Sequence, residues 1–269
     1  MSKTSSNQLR LAQNFLRSSR LVRSLLDVSS LAPADTVYEI GPGRGIITAE
    51  LARIASRVIA IEKDSFLAEK LRRQFQAVKN VAIISGDFLQ YHIHHTQYKI
   101  FANIPYNVTA DILRKILYTA PSPTEASLVM QKEAAQKFSG SPYETQFSIL
   151  AKPMFELQIL RELRRTDFEP VPHVDSVLLQ IKRRPAPLLQ KEDLSLYRSF
   201  VCYGFGRWKR SLKLIFEPVF TYPQWKHLSH DLYFPLNATP SQLTFAQWLG
   251  LFECFKGKVP TYKQAYVRR

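Results

Sequence analysis

Three observations predict an α/β fold built on a mostly parallel sheet. Short apolar runs end in a polar or glycine residue, helical patterns separate them, and a glycine-rich turn follows the first run. Residues 9–28 come before it and read as an amphipathic helix with a basic face. Its apolar set is Leu9, Phe15, Leu16, Leu21, Val22, Leu25 and Leu26. Residues 36–40 form an apolar strand that runs into Gly41-Pro42-Gly43-Arg44-Gly45, and a helix follows over 46–55. A second strand covers 58–61 and ends at Glu62, before a helix over 65–77. The third strand, 81–85, ends in Gly86-Asp87. The fourth, 98–102, ends at Asn103 and precedes a helix over 111–118. Residues 126–130 make a fifth strand. Residues 154–160 and 174–181 read as two longer strands, joined by a loop carrying Phe168-Glu169-Pro170-Val171-Pro172. The Pro-rich junction at 183–187 then marks a boundary, and the pattern beyond it is mainly helical. Two domains are expected, 1–182 and 183–269.

Composition narrows the class of function. With 269 residues, 45% of them hydrophobic, the chain can bury a substantial core. No apolar run approaches the length of a membrane span, and the polar N-terminus has no apolar signal core. Cys202 and Cys254 lie far apart without metal-ligand spacing, which points to a reducing cytosol. His92, His94 and His95 cluster without Cys or carboxylate companions and read as a solvated loop, so no metal site is expected. Charge is unevenly placed. Residues 1–30 hold five Lys/Arg and one acid, net +4; residues 31–179 hold seventeen and sixteen, net +1; residues 180–269 hold fifteen and five, net +10. Basic ends on a nearly neutral middle suggest a polyanion partner. Tyr203, Phe205, Arg207, Trp208, Lys209 and Arg210 interleave rings with cations, as bases and phosphates require.

The strand ends carry the chemistry. Glu39-Ile40-Gly41-Pro42-Gly43-Arg44-Gly45 lies between strand and helix, where an α/β sheet binds its ligand. A plain turn or a phosphate loop would also use glycines here. The spacing is G-x-G-x-G, however, and Glu39 just before the turn suits a cationic sulfonium better than a pyrophosphate. Glu62 stands where a ribose-binding carboxylate belongs, and Asp87 can accept from an adenine amino group. At the fourth strand end, Asn103-Ile104-Pro105-Tyr106 offers an amide acceptor, a restricted backbone and a ring. An exocyclic adenine amino group is a poor nucleophile because its lone pair is delocalised into the purine. Accepting both of its N–H bonds turns that lone pair toward a methyl donor, which makes the step one of positioning and electrostatics.

These motifs, with Gln13-Asn14-Phe15-Leu16 and F-x-P-x-P at 168–172, resemble the rRNA adenine N6-dimethyltransferases over nearly the whole chain. The resemblance implies S-adenosyl-L-methionine as cofactor, a Rossmann-like catalytic domain and a small helical C-terminal domain that binds RNA. It implies cofactor contacts from Asn14, Leu16, Gly41, Glu62, Asp87 and Asn103, and a target adenine held by Asn103 and Tyr106 with Phe168 on its other face. Residues 243–252 and the stretch from Phe200 to Arg210 are similar to the Erm branch, and Ala12 stands where the 16S branch usually has Gly. That branch dimethylates an adenine in the macrolide site of 23S rRNA and gives macrolide–lincosamide–streptogramin B resistance. The expectation is a monomeric, cytoplasmic enzyme acting on rRNA, 23S preferred. The alternative is the 16S rRNA dimethyladenosine transferase of ribosome maturation. Asn107-Val108-Thr109-Ala110 departs from the commonest continuation of the motif, and residues 222–240 look longer than the family pattern.

Overall fold

The computed structural model describes residues 14–206 and 211–268. Its centre is a seven-stranded sheet. The strands in chain order are β2 (Thr36–Ile40), β3 (Arg57–Glu62), β4 (Val81–Ser85), β5 (Lys99–Asn103), β6 (Glu125–Gln131), β7 (Phe155–Leu163) and β9 (Ser176–Arg183). They lie in the spatial order β4-β3-β2-β5-β6-β9-β7. From β4 to β6 every pair is parallel, and β9 runs antiparallel to β6. Parallel strands covered on both faces need near-continuous apolar sequence. Val37, Tyr38 and Ile40 supply it in β2, where all but the first residue are buried and Glu39 is the polar exception. The crossover helices are α2 (Ile46–Ile54), α3 (Ser65–Gln74) and α4 (Thr109–Tyr118). Asp64 caps α3 by accepting from the Phe66 and Leu67 N–H groups.

The first segment differs from expectation. Of residues 9–28, those before Asn14 lie outside the described residues. Phe15–Leu16 is a strand, β1, paired antiparallel with β8 (Phe168–Glu169), and the helix α1 covers only Ser19–Leu26. Ser18 breaks the run and caps α1 by accepting from the Leu21 N–H at 3.4 Å. Val22, Leu25 and Leu26 then pack into one core with Leu16, Val37, Leu51, Phe101, Phe168 and Leu178.

The chain divides into two compact units. One runs to Ala135 and resumes over Glu156–Arg183; the other holds Gln136–Phe155 and the described residues from Arg184 on. A single boundary after residue 182 therefore misplaces 136–155. Two short helices, α5 (Lys132–Ser139) and α6 (Gln146–Ala151), intervene between β6 and β7, and Ile149 from α6 belongs to the second unit's core. The other helices are α7 (Leu194–Phe205), α8 (Leu212–Ile215), α9 (Tyr222–Asp231), α10 (Phe245–Lys258) and α11 (Thr261–Gln264). Thr244 and Gln247 form a capping box that starts α10. The second core is aromatic. Phe200 stacks on Phe216 at 4.7 Å and meets Trp248 edge-on at 6.0 Å, contacts worth roughly 1 kcal/mol each beyond their burial. Tyr203 and Phe205 pack against this core, Phe205 stacking on Trp248 at 5.2 Å. They are packing residues here, in place of the displayed stacking surface expected of them; residues 207–210 lie outside the described residues. Among the described residues no helix is long and apolar enough to cross a membrane. None of the groupings of His, Cys, Asp and Glu among them could hold a metal ion.

Candidate active site

The strand order reverses direction between β2 and β5, because the chain winds outward from β2 to β4 and then returns to β5. The carboxyl ends of strands on either side of such a switch diverge and leave a crevice. A pocket opens there, lined by Asn14, Phe15, Gly41, Asn103, Ile104, Pro105 and Tyr106. Gly41 and Asn103 come from strand ends the sequence singles out; Asn14 and Phe15 come from β1 and the residue before it, where the sequence reads as helix.

The glycine turn is shaped by close approach. Gly41 has φ +63°, and a side chain there would project into open space. At Gly43, φ +56°, a Cβ would lie 2.5 Å from the Phe15 ring, so a ring can sit against the turn only because the side chain is absent. The Gly41 N–H donates to the Ile61 carbonyl at 2.9 Å, and the Gly43 N–H donates to Glu62 Oε2 at 3.0 Å. Glu62 Oε1 accepts from the Asp64 N–H at 3.0 Å. Glu62 is buried; one oxygen braces the turn and the other holds the chain at Asp64, where α3 begins.

Asn103 is half-buried. Its Nδ2 donates to the main-chain carbonyl of Asn14 at 2.6 Å. A carbonyl only accepts, so this bond sets which way the amide points and leaves Oδ1 as the remaining acceptor. The Ile104 N–H donates to the Val129 carbonyl at 3.0 Å. Pro105 sits at φ −62° and ψ 135°, and Tyr106 starts a single 3₁₀ turn. The Tyr106 hydroxyl lies 2.8 Å from Ser176 Oγ, which fixes the ring's far end to β9. The Pro105 carbonyl accepts from the Val108 N–H at 3.3 Å and from Thr109 Oγ1 at 3.2 Å.

The other expected residues are placed differently. Asp87 stands at the end of β4, outside the pocket lining, with Oδ2 2.8 Å from Lys63 Nζ and Oδ1 accepting from the Leu89 N–H. The Lys63 hydrogen bond holds its carboxyl below the usual range, ahead of the opposing effect of burial. The Leu16 and Phe168 side chains are 4% and 0% exposed, packed in the core under the sheet edge. Phe168 therefore offers no ring face to a base, and Leu16 no side-chain contact to a ligand. Cross-strand pairing of the two across β1 and β8 turns both inward. The rings that do line the pocket are Tyr106 and Phe15, the latter with the Arg44 guanidinium 4.8 Å above its centroid and bridged to Glu169 at 3.2 Å. A two-residue strand carries no period that could have announced Phe15.

Glu39 is the outlier in charge. It is fully buried, and Oε2 accepts from Thr48 Oγ1 at 2.6 Å. Oε1 is the one buried side-chain polar atom without a partner among the described residues. Burial pushes this carboxyl up to about 8; the Thr48 hydrogen bond opposes the shift and the nearby Glu62 adds to it.

These features fit a cationic nucleoside cofactor. Among the described residues the lining includes no Lys or Arg to meet a pyrophosphate, three carboxylates stand at the ends of neighbouring strands, and a buried carboxylate oxygen lacks a partner. Comparisons with known proteins agree. The sequence profile of the family described as ribosomal RNA adenine dimethylase matches residues 4–256. The chain is 32% identical to an rRNA adenine N-6-methyltransferase of Lysinibacillus sphaericus, covering 91% of this chain and 95% of that protein. It is 32% identical to a ribosomal RNA small subunit methyltransferase A of Chlorobium phaeobacteroides, covering 76% of this chain and 78% of that protein. Among solved structures, that of the 23S rRNA methyltransferase ErmE superposes with a TM-score of 0.85 at 29% identity, covering 90% of this chain and all of that one.

Proposed function

The chain belongs to the ribosomal RNA adenine dimethylase family and is an S-adenosylmethionine-dependent rRNA adenine N6-methyltransferase, and from that premise we propose that its target is an adenine in the macrolide site of 23S rRNA. On this reading it acts as a cytoplasmic monomer and confers macrolide–lincosamide–streptogramin B resistance. The likeness to ErmE over all of that chain supports the 23S assignment.

S-adenosylmethionine supplies an activated methyl group carried on a sulfonium. Asn14, Gly41 and Asn103 line the crevice that would hold it, with Glu62 and Asp87 at the adjoining strand ends. Asn103 Oδ1 accepts one N–H of the target amino group, its amide held in that sense by Asn14. With the Pro105 carbonyl engaged, the Ile104 carbonyl is the motif's second acceptor. Together they orient the nitrogen lone pair, and no general base is needed in the bond-forming step. Tyr106 presents its ring to the everted base, and Ser176 keeps that ring from swinging. The basic residues of 183–269 and of the N-terminal segment hold the RNA backbone. The observation that carries the methyl-transfer chemistry is the meeting of Asn14, Gly41, Asn103 and Tyr106 around one pocket at the sheet's switch point.

The small-subunit relative favours a second reading, in which 16S rRNA is the substrate. Mapping modified adenines at single-nucleotide resolution in cells that express the protein separates the two. Dimethyladenine at the macrolide site of 23S rRNA is the expected result; modification of 16S rRNA alone replaces it with the second reading.

A further inference from the structure

The Glu39 carboxyl has no part in the steps above. Its environment is unusual on every side. The charged group that faces it is Glu62, from β3, of the same sign. From α2 it meets the neutral Thr48. The charges of α2 lie elsewhere: Glu50 pairs with Arg23 at 3.7 Å and with Arg53 at 3.8 Å. Lys99, the charge on β5, is spent at that strand's opposite end on Asp35, at 2.8 Å. Arg44, in the adjoining turn, is turned to Glu169. A buried carboxylate with one oxygen unpartnered and no cation among the described residues facing it costs much free energy, so the neutral acid is the form this site stabilises. Yet Glu39 stands two residues before Gly41, which lines the pocket. In a region of low dielectric a positive charge bound beside that turn acts on the carboxyl.

We propose that Glu39 is the buried counter-charge for the cofactor's cation: protonated in the free protein, and losing its proton to solvent when the cofactor binds. The step is an acid dissociation alone. The O–H bond of the carboxyl breaks, the electron pair stays on oxygen, and the proton leaves to buffer. The proposal rests on the reading of this crevice as the S-adenosylmethionine site. It implies that cofactor affinity rises with pH across the neutral range. It also implies that the thioether product, which lacks the sulfonium charge, gains less and is released more readily near pH 7.

Calorimetric titration of the full-length protein with S-adenosylmethionine at pH 7, in buffers of different ionisation enthalpy, counts the protons exchanged. The expected release is about half a proton or more per cofactor bound. It falls away at pH 9.5, where the acid is already ionised. S-adenosylhomocysteine releases fewer. Glu39→Gln, which mimics the neutral acid, binds cofactor with the Glu39-dependent release gone. Release near zero in the wild type overturns the proposal and leaves the cofactor site standing. So does equal release from Glu39→Gln, or equal release with the thioether. Failure of the wild-type protein to bind S-adenosylmethionine at all overturns both the proposal and the site reading.

Discussion

At the scale of single residues, function rests on a few atoms whose direction is fixed by their neighbours. Asn103 acts through Oδ1 because its Nδ2 is taken by Asn14. Asn103→Ala is expected to lower kcat by about 10²- to 10³-fold. The fold should survive, because the residue is only half-buried and the lost bond is worth about 1 kcal/mol; methyl transfer to rRNA and thermal unfolding measure the two effects. Glu39 acts on stability. Its carboxyl is raised from 4.5 to about 8 by burial first. Between those values the folded state binds more protons than the unfolded one. Its contribution to stability is therefore complete below about pH 4.5 and is lost as pH rises through about 8. Urea unfolding at pH 6 and pH 9 should show a decline that Glu39→Gln largely removes. Asn103 and Gly41 are legible in sequence because a polar task restricts the one and a left-handed turn the other. Leu16 and Phe168 were not, since an apolar motif residue reads the same whether it meets a ligand or a core.

At the scale of elements, what the sequence disclosed followed the length of each signal. β2 and β4 fall on the expected residues 36–40 and 81–85, because apolar runs between glycine and charge leave little freedom. β1 and β8 leave no signal of their own in the sequence. Each is two residues long, and Phe15 and Leu16 continue the spacing of the helix behind them, so periodicity assigned them to it. α5 and α6 leave little more, being eight and six residues long with Gly140 and Pro142 between them. The β1–β8 pair has a mechanical role, since it carries Phe15 to the pocket and Phe168 to the core. Phe168→Ala should therefore cost about 3–5 kcal/mol of stability, read from denaturant midpoints. A near-wild-type midpoint with lost methyl transfer would instead place the ring at the substrate.

At the scale of the whole molecule, charge separates recognition from chemistry. The nearly neutral middle of the sequence supplies most of the crevice, Asn14 and Phe15 excepted, and the basic residues are concentrated toward the ends. Replacing Arg207, Lys209 and Arg210 with Gln should weaken rRNA binding uniformly. It should also flatten the slope of log affinity against log salt by about 2, with S-adenosylmethionine affinity unchanged. Filter binding across a salt series checks the first part, and calorimetry the second.

The path of the chain limits how the molecule can be dissected. Ile149 is buried with residues some 40 to 120 positions later in sequence, and its carbonyl accepts the Tyr197 hydroxyl at 3.0 Å. A gene fragment that begins at the Pro-rich junction would leave that tyrosine's partner behind, in the discarded half. The basic tail is thus no module to be grafted onto another enzyme or swapped between relatives by a single crossover. Recombination that keeps both halves working must exchange two separate stretches of gene at once.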